Sequence, residues 1–91
     1  MLLEIAICDD ESAMRKEIFD HFSKYMAKRQ DIAYHISSFE SGSQLLKSGQ
    51  EYDLIFLDIQ MEQPDGMETA RRLRQRGSCS RLIFVTVLKE C

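Results

Sequence analysis

Leu2-Leu3-Glu4-Ile5-Ala6-Ile7-Cys8 is an almost unbroken apolar run, and two aspartates, Asp9 and Asp10, follow it at once. A strand with one wet face alternates apolar and polar residues. A run without alternation belongs to a strand covered on both faces, as in parallel α/β sheets. The pattern recurs at Leu54-Ile55-Phe56-Leu57, which ends in Asp58, and in the longer run Leu82-Ile83-Phe84-Val85-Thr86-Val87-Leu88. Ile32 to Phe39 is also strand-like but more polar, which predicts an edge position.

Between these runs the period changes to that of a helix. From Glu11 to about Lys28, Met14, Ile18, Phe22 and Met26 fall four residues apart, with Phe19 and Tyr25 beside them. That spacing predicts an amphipathic helix. Ser41-Gly42-Ser43 supplies capping residues for a short helix carrying Leu45 and Leu46, which Gly49 can end. Met67, Ala70, Leu73 and Arg74 trace a third helix after a loop holding Pro64, Asp65 and Gly66, and Gly77 stops it. The order β-α-β-α-β-α-β predicts a doubly wound α/β domain, with a parallel sheet, helices on both faces and right-handed crossovers.

Composition is compatible with this and excludes other classes. The chain has 91 residues, 44% of them hydrophobic and 30% charged, which suits one small globular domain. A net charge of −3 gives no general attraction to nucleic acid or anionic membranes. No apolar run approaches the ~20 residues of a membrane span, and the start lacks the basic residues of a signal peptide, so a cytoplasmic location is expected. Three cysteines, Cys8, Cys79 and Cys91, fit neither a disulfide framework nor a zinc site, and Cys8 reads as a core residue.

The three strand-end acids carry the chemistry. In open parallel sheets ligands bind beyond the carboxyl ends of the strands, at the point where the winding reverses; in the flavodoxin-like order 2-1-3-4-5, strands 1 and 3 meet there. Asp9, Asp10 and Asp58 therefore converge, with Thr86 near the end of the next strand. At ~4 Å and an effective dielectric near 20, each close pair of carboxylates repels by about 4 kcal/mol, so protons or a cation must relieve them. Oxygen-only ligands suit Mg²⁺, which takes one or two carboxylates and binds phosphate oxygens. Such a site can use a carboxylate as a nucleophile toward a phosphoryl group.

The ordered segments Cys8-Asp9-Asp10-Glu11, Leu54 to Met61, Asp65-Gly66-Met67-Glu68 and Ile83-Phe84-Val85-Thr86 resemble the receiver domain of bacterial response regulators. The wording is nearest the LytTR-type regulators, and the resemblance runs from Leu2 to Thr86. It implies a CheY-like fold with strand order 2-1-3-4 and a two-component signalling role, with a sensor histidine kinase as partner. By the same resemblance Asp58 is the phosphoacceptor. Asp10 ligates Mg²⁺ directly and Asp9 mainly through water, with the Gln60 backbone carbonyl as a further ligand. Thr86 is the switch residue. The implied module accepts a phosphoryl group and is not an enzyme. Phosphohydrolases of the haloacid dehalogenase type also use a strand-end aspartate and Mg²⁺, but they place a second acid two residues later, where this chain has Gln60.

The sequence departs from the family pattern in three ways. Glu62 replaces the usual proline, with Pro64 two residues on. Val87 follows Thr86 where a small residue is usual. Residues 1–91 are read as a receiver lacking its last helix-strand-helix portion, so the phosphate-pairing lysine of strand 5 is absent and Lys89 does not take its role. On that reading the DNA-binding output lies outside these residues, leaving no direct nucleic-acid contact, and an apolar strand 4 predicts self-association through Leu82–Leu88. A receiver fragment that binds a partner without being phosphorylated is the alternative. His21 and His35 read as surface residues, and Arg71, Arg72, Arg74 and Arg76 as a solvated helix face.

Overall fold

The computed structural model describes residues 1–85. In chain order it contains β1 (Leu2–Cys8), α1 (Ser12–Met26), β2 (Ala33–Phe39), α2 (Gly42–Lys47), β3 (Leu54–Asp58), α3 (Gly66–Gln75) and β4 (Arg81–Val85). The four strands form one sheet in the order β2-β1-β3-β4, and every pairing is parallel. This is the expected architecture, with the polar strand β2 at one edge. Thr86, Val87 and Leu88, expected to extend the fourth strand, lie outside the described residues.

β1 is buried on both faces only in its second half. Ile5, Ala6, Ile7 and Cys8 are excluded from water, whereas Leu2 is exposed. The register gives the reason: β1 pairs with β2 from Leu2 onward but meets β3 only from Ile5, opposite Leu54. Core packing therefore begins where β1 has a strand on each side. Around it gather Leu45 of α2, Tyr52, Ile55 and Leu57 of the β3 segment, and Ala70 and Leu73 of α3.

The helices start and stop for local reasons. The Ser41 hydroxyl accepts the Gln44 N–H at 3.1 Å and opens α2. The Asp65 carboxylate accepts the Glu68 N–H at 2.8 Å and opens α3 at Gly66. α3 ends before Gly77, whose φ of 88° lies in the left-handed region that a glycine adopts without penalty. The inward stripe of α3 is Gly66, Thr69, Ala70 and Leu73, so Met67 of the predicted pattern faces water instead. On α1, Met26 is buried and Met14, Ile18 and Phe22 are half-buried, while Phe19 and Tyr25 are exposed. Phe22 stands edge-on to Tyr34 and Phe56, both at 5.7 Å between centroids, which seats α1 on the sheet.

The polar residues set aside as surface features behave so. His21 lies 3.8 Å from Glu17, and His35 lies 3.2 Å from Glu4. The arginine run on α3 is engaged within the chain: Arg71 and Arg72 both pair with Glu68, Arg74 donates to the Ser78 carbonyl and Arg76 to the Leu46 carbonyl. No helix among the described residues is long and apolar enough to cross a membrane.

Candidate functional site

The β1–β3 register places Cys8 opposite Leu57, so the residues that follow, Asp9 and Asp58, emerge side by side at the carboxyl edge of the sheet. Asp10 continues the turn from Asp9. One carboxylate oxygen from each of Asp9, Asp10 and Asp58 lies within 4.8 Å of the others. Asp9 and Asp58 are 2% and 3% exposed, whereas Asp10 faces solvent. Two buried acids and one exposed acid thus make an all-oxygen cluster at the edge of the sheet.

Short backbone turns hold the buried pair. Asp9 Oδ1 accepts the Glu11 N–H at 2.9 Å, and Asp58 Oδ1 accepts the Gln60 N–H at 3.0 Å. Each bond fixes a carboxylate against the loop that leaves its strand. The Asp9 N–H donates to the Phe39 carbonyl at 3.1 Å, which ties the turn to the end of β2. Beyond Asp58 the loop closes through the Gly66 N–H on the Ile59 carbonyl, 3.1 Å apart. Pro64 is buried within that loop, and the Thr69 hydroxyl donates to the Asp65 carbonyl at 2.7 Å. The loop with Glu62 in place of the usual proline is therefore anchored at Pro64 and Asp65.

Cys8 sits directly under the acids. Burial, then the charges of Asp9 and Asp58, push its thiol up to about 12. The thiol stays protonated and non-nucleophilic, in keeping with a core role. Its Sγ lies 3.9 Å from Met61 Sδ, which packs the loop onto β1.

The donor set can be tested against a metal. Mg²⁺ holds its oxygen ligands at ~2.1 Å, so neighbouring ligands of one octahedral ion stand about 3 Å apart and opposite ones about 4.2 Å. The three oxygens, within 4.8 Å of one another, would draw inward by side-chain movement to share one ion. Hard oxygen donors and net negative charge suit Mg²⁺ over a soft metal. Among the described residues this is the one group of acids, histidines and cysteines so arranged.

Comparison with known proteins agrees. The family model for the response regulator receiver domain matches residues 5–91. This chain belongs to that family. An uncharacterized response regulatory protein of Vibrio cholerae is 33% identical over 92% of this chain and 31% of its own length. The sensory transduction protein LytT of Oceanobacillus iheyensis is 32% identical over 93% of this chain and 33% of its own. The receiver thus spans about a third of these curated relatives. Among solved structures, the response regulator TrrA of Thermotoga maritima, in complex with Mg²⁺ and BeF, superposes with a TM-score of 0.74. That match is 27% identical and covers 90% of this receiver and 67% of that chain.

Of the residues expected to form the receiver site, the structure brings Asp9, Asp10 and Asp58 together and sets Gln60 on the adjoining loop. Thr86 lies outside the described residues. Sequence reasoning missed Arg15, whose Nη1 donates to the Asp9 carbonyl at 2.7 Å, and Gly66, which backs directly onto the Asp58 carbonyl. Arg15 had a detectable signal: an arginine in the first turn of α1, beside the inward-facing Met14. Gly66 had only its place in the Asp-Gly pair.

Proposed function

We propose that this receiver is the phosphoacceptor of a two-component system, taking a phosphoryl group on Asp58 from a sensor histidine kinase. The observation that carries the proposal is the meeting of three carboxylates at the ends of neighbouring strands in a member of this family. An Asp58 oxygen attacks phosphorus, the P–N bond of the phosphohistidine breaks, and the departing imidazole nitrogen takes up a proton. Asp9, Asp10, Asp58 and the Gln60 carbonyl would hold Mg²⁺, which when bound neutralises charge on the transferring group. Asp9 and Asp58, fixed by the Glu11 and Gln60 N–H groups, keep the acceptor oxygen in place. Thr86 is the group that would respond by hydrogen-bonding the new phosphoryl oxygens.

The LytTR type, a DNA-binding output outside these residues, and a cytoplasmic setting belong to the same proposal. The LytTR type is supported by the wording of the motifs and by the match to LytT. Incubation with acetyl phosphate and Mg²⁺, followed by intact mass, tests the central claim. One phosphoryl group should be gained, and the gain should vanish in Asp58→Asn and without Mg²⁺. A folded protein that gains nothing would leave a binding module only.

A second copy of the chain is the other partner proposed. β4 exposes Ile83 (44%) and Phe84 (39%) on its two faces, whereas the opposite edge, β2, carries polar residues such as His35, Ser37 and Ser38. Pairing of β4 with β4 would cover the apolar edge and leave the polar one in water. Sedimentation should show association that rises with concentration and is lost in Phe84→Glu. A monomer at every concentration would refute it.

A further inference from the structure

Asp10, exposed, sits on the turn that joins β1 to α1, and two anchors hold the backbone of that turn. The N–H of Asp9 is held by the Phe39 carbonyl at 3.1 Å, and the carbonyl of Asp9 is held by Arg15 Nη1 at 2.7 Å. That carbonyl belongs to the peptide unit joining Asp9 to Asp10, so Arg15 grips the link between the two acids. Arg15 is itself fixed. Its side chain is only 16% exposed, and its Nη2 lies 3.9 Å from Glu40, on the loop after β2.

We propose that Arg15 is a positioning residue for the metal-binding turn: it fixes the Asp9–Asp10 peptide, and so the direction from which both carboxylates meet a cation. This inference rests on the phosphoacceptor reading above. A purely electrostatic role makes the opposite prediction. A guanidinium beside acids competes with a metal, so removing it would tighten Mg²⁺ binding. Removing a positioning group weakens binding, because the ligands then pay an ordering cost when the ion arrives.

The test uses the whole 91-residue chain, with Arg15→Met and Arg15→Lys beside the parent sequence. Mg²⁺ alone is titrated by NMR, and amide exchange is measured in EDTA. Arg15→Met should bind Mg²⁺ about tenfold more weakly, as loss of an outer partner to a ligand typically does. The Glu11 amide, which donates to Asp9 Oδ1, should exchange about tenfold faster while core amides such as Ile55 and Leu73 keep their protection. Arg15→Lys retains the charge and N–H donors but not the planar fork that reaches both the Asp9 carbonyl and Glu40, and should fall between. Unchanged or tighter Mg²⁺ binding in Arg15→Met, or an unchanged Glu11 exchange rate, overturns the proposal. If the parent chain binds no Mg²⁺, the phosphoacceptor reading fails, and the exchange rate alone decides whether Arg15 holds the turn. If Arg15→Met loses core protection as well, the same two measurements on Arg15→Lys decide.

Discussion

Gly66→Ala is expected to destabilise the receiver by about 3 kcal/mol, the upper part of the range for forcing a methyl group into a packed site. Helix propensity predicts the reverse, since alanine at an unstrained helical position is about 1 kcal/mol better than glycine. Geometry decides between them. A β-carbon on Gly66 would overlap the Asp58 carbonyl oxygen and stand 2.7 Å from Ile59 Cα and 2.9 Å from the Asp58 carbonyl carbon. All three neighbours are backbone, so no side chain can swing aside to make room. The chain must instead separate the start of α3 from the end of β3, breaking the 3.1 Å bond from the Gly66 N–H to the Ile59 carbonyl. Urea denaturation of the two proteins measures the difference directly. A variant as stable as the parent would mean that the close approach of α3 to Asp58 is not present in solution. The displacement also moves Asp58, so Mg²⁺ affinity should fall in the same variant.

The sequence carried the architecture because its central strands are nearly unbroken apolar runs. Ile5 to Cys8 are buried and Leu54 to Leu57 are buried or half-buried, and both runs lack polar alternation because each has a strand on both sides. The polar, half-exposed β2 was legible as an edge by the converse argument. The acids were legible because they end these strands, and strand order alone then makes them neighbours. Other features depend on contacts between distant segments and left little local trace. Leu2 belongs to an apolar run but is exposed, because β3 begins too late to cover it. Met67 keeps helical spacing yet faces outward, because the Asp65 cap starts α3 in a phase that turns Gly66, Thr69, Ala70 and Leu73 inward. At the far end of the sheet, the hydroxyls of Ser78 and Ser80 converge on Glu51, 2.6 and 2.7 Å from its carboxylate, and hold its carboxyl at about 2. Nothing in Gly-Ser-Cys-Ser signals a partner some 27 residues earlier.

Mg²⁺ should raise the melting temperature of this receiver by about 6–11 °C once it reaches ten times its dissociation constant. An ion that binds only the folded state adds RT ln(1 + [L]/Kd), about 1.4 kcal/mol at that ratio, and 1 kcal/mol moves a domain of this size by about 4–8 °C. The sign follows from the site. Unfolding scatters the three carboxylates over a segment running from Asp9 to Asp58, so the denatured chain offers no comparable cluster. Asp10→Asn is the decisive variant, because Asp10 is the solvent-facing acid of the three, whereas Asp9 and Asp58 are buried and accept the Glu11 and Gln60 N–H groups. Its melting temperature in EDTA should be no lower than that of the parent, because one of three mutually repelling charges is gone, and its response to Mg²⁺ should fall to a small fraction. Asp58→Asn should also lose most of the response while keeping an oxygen to accept the Gln60 N–H, so its loop stays closed. A Tm rise of equal size in all three proteins would place the bound ion elsewhere. No rise in the parent, with the fold intact, would leave the acids without a metal to share and remove the electrostatic basis for phosphoryl transfer to Asp58.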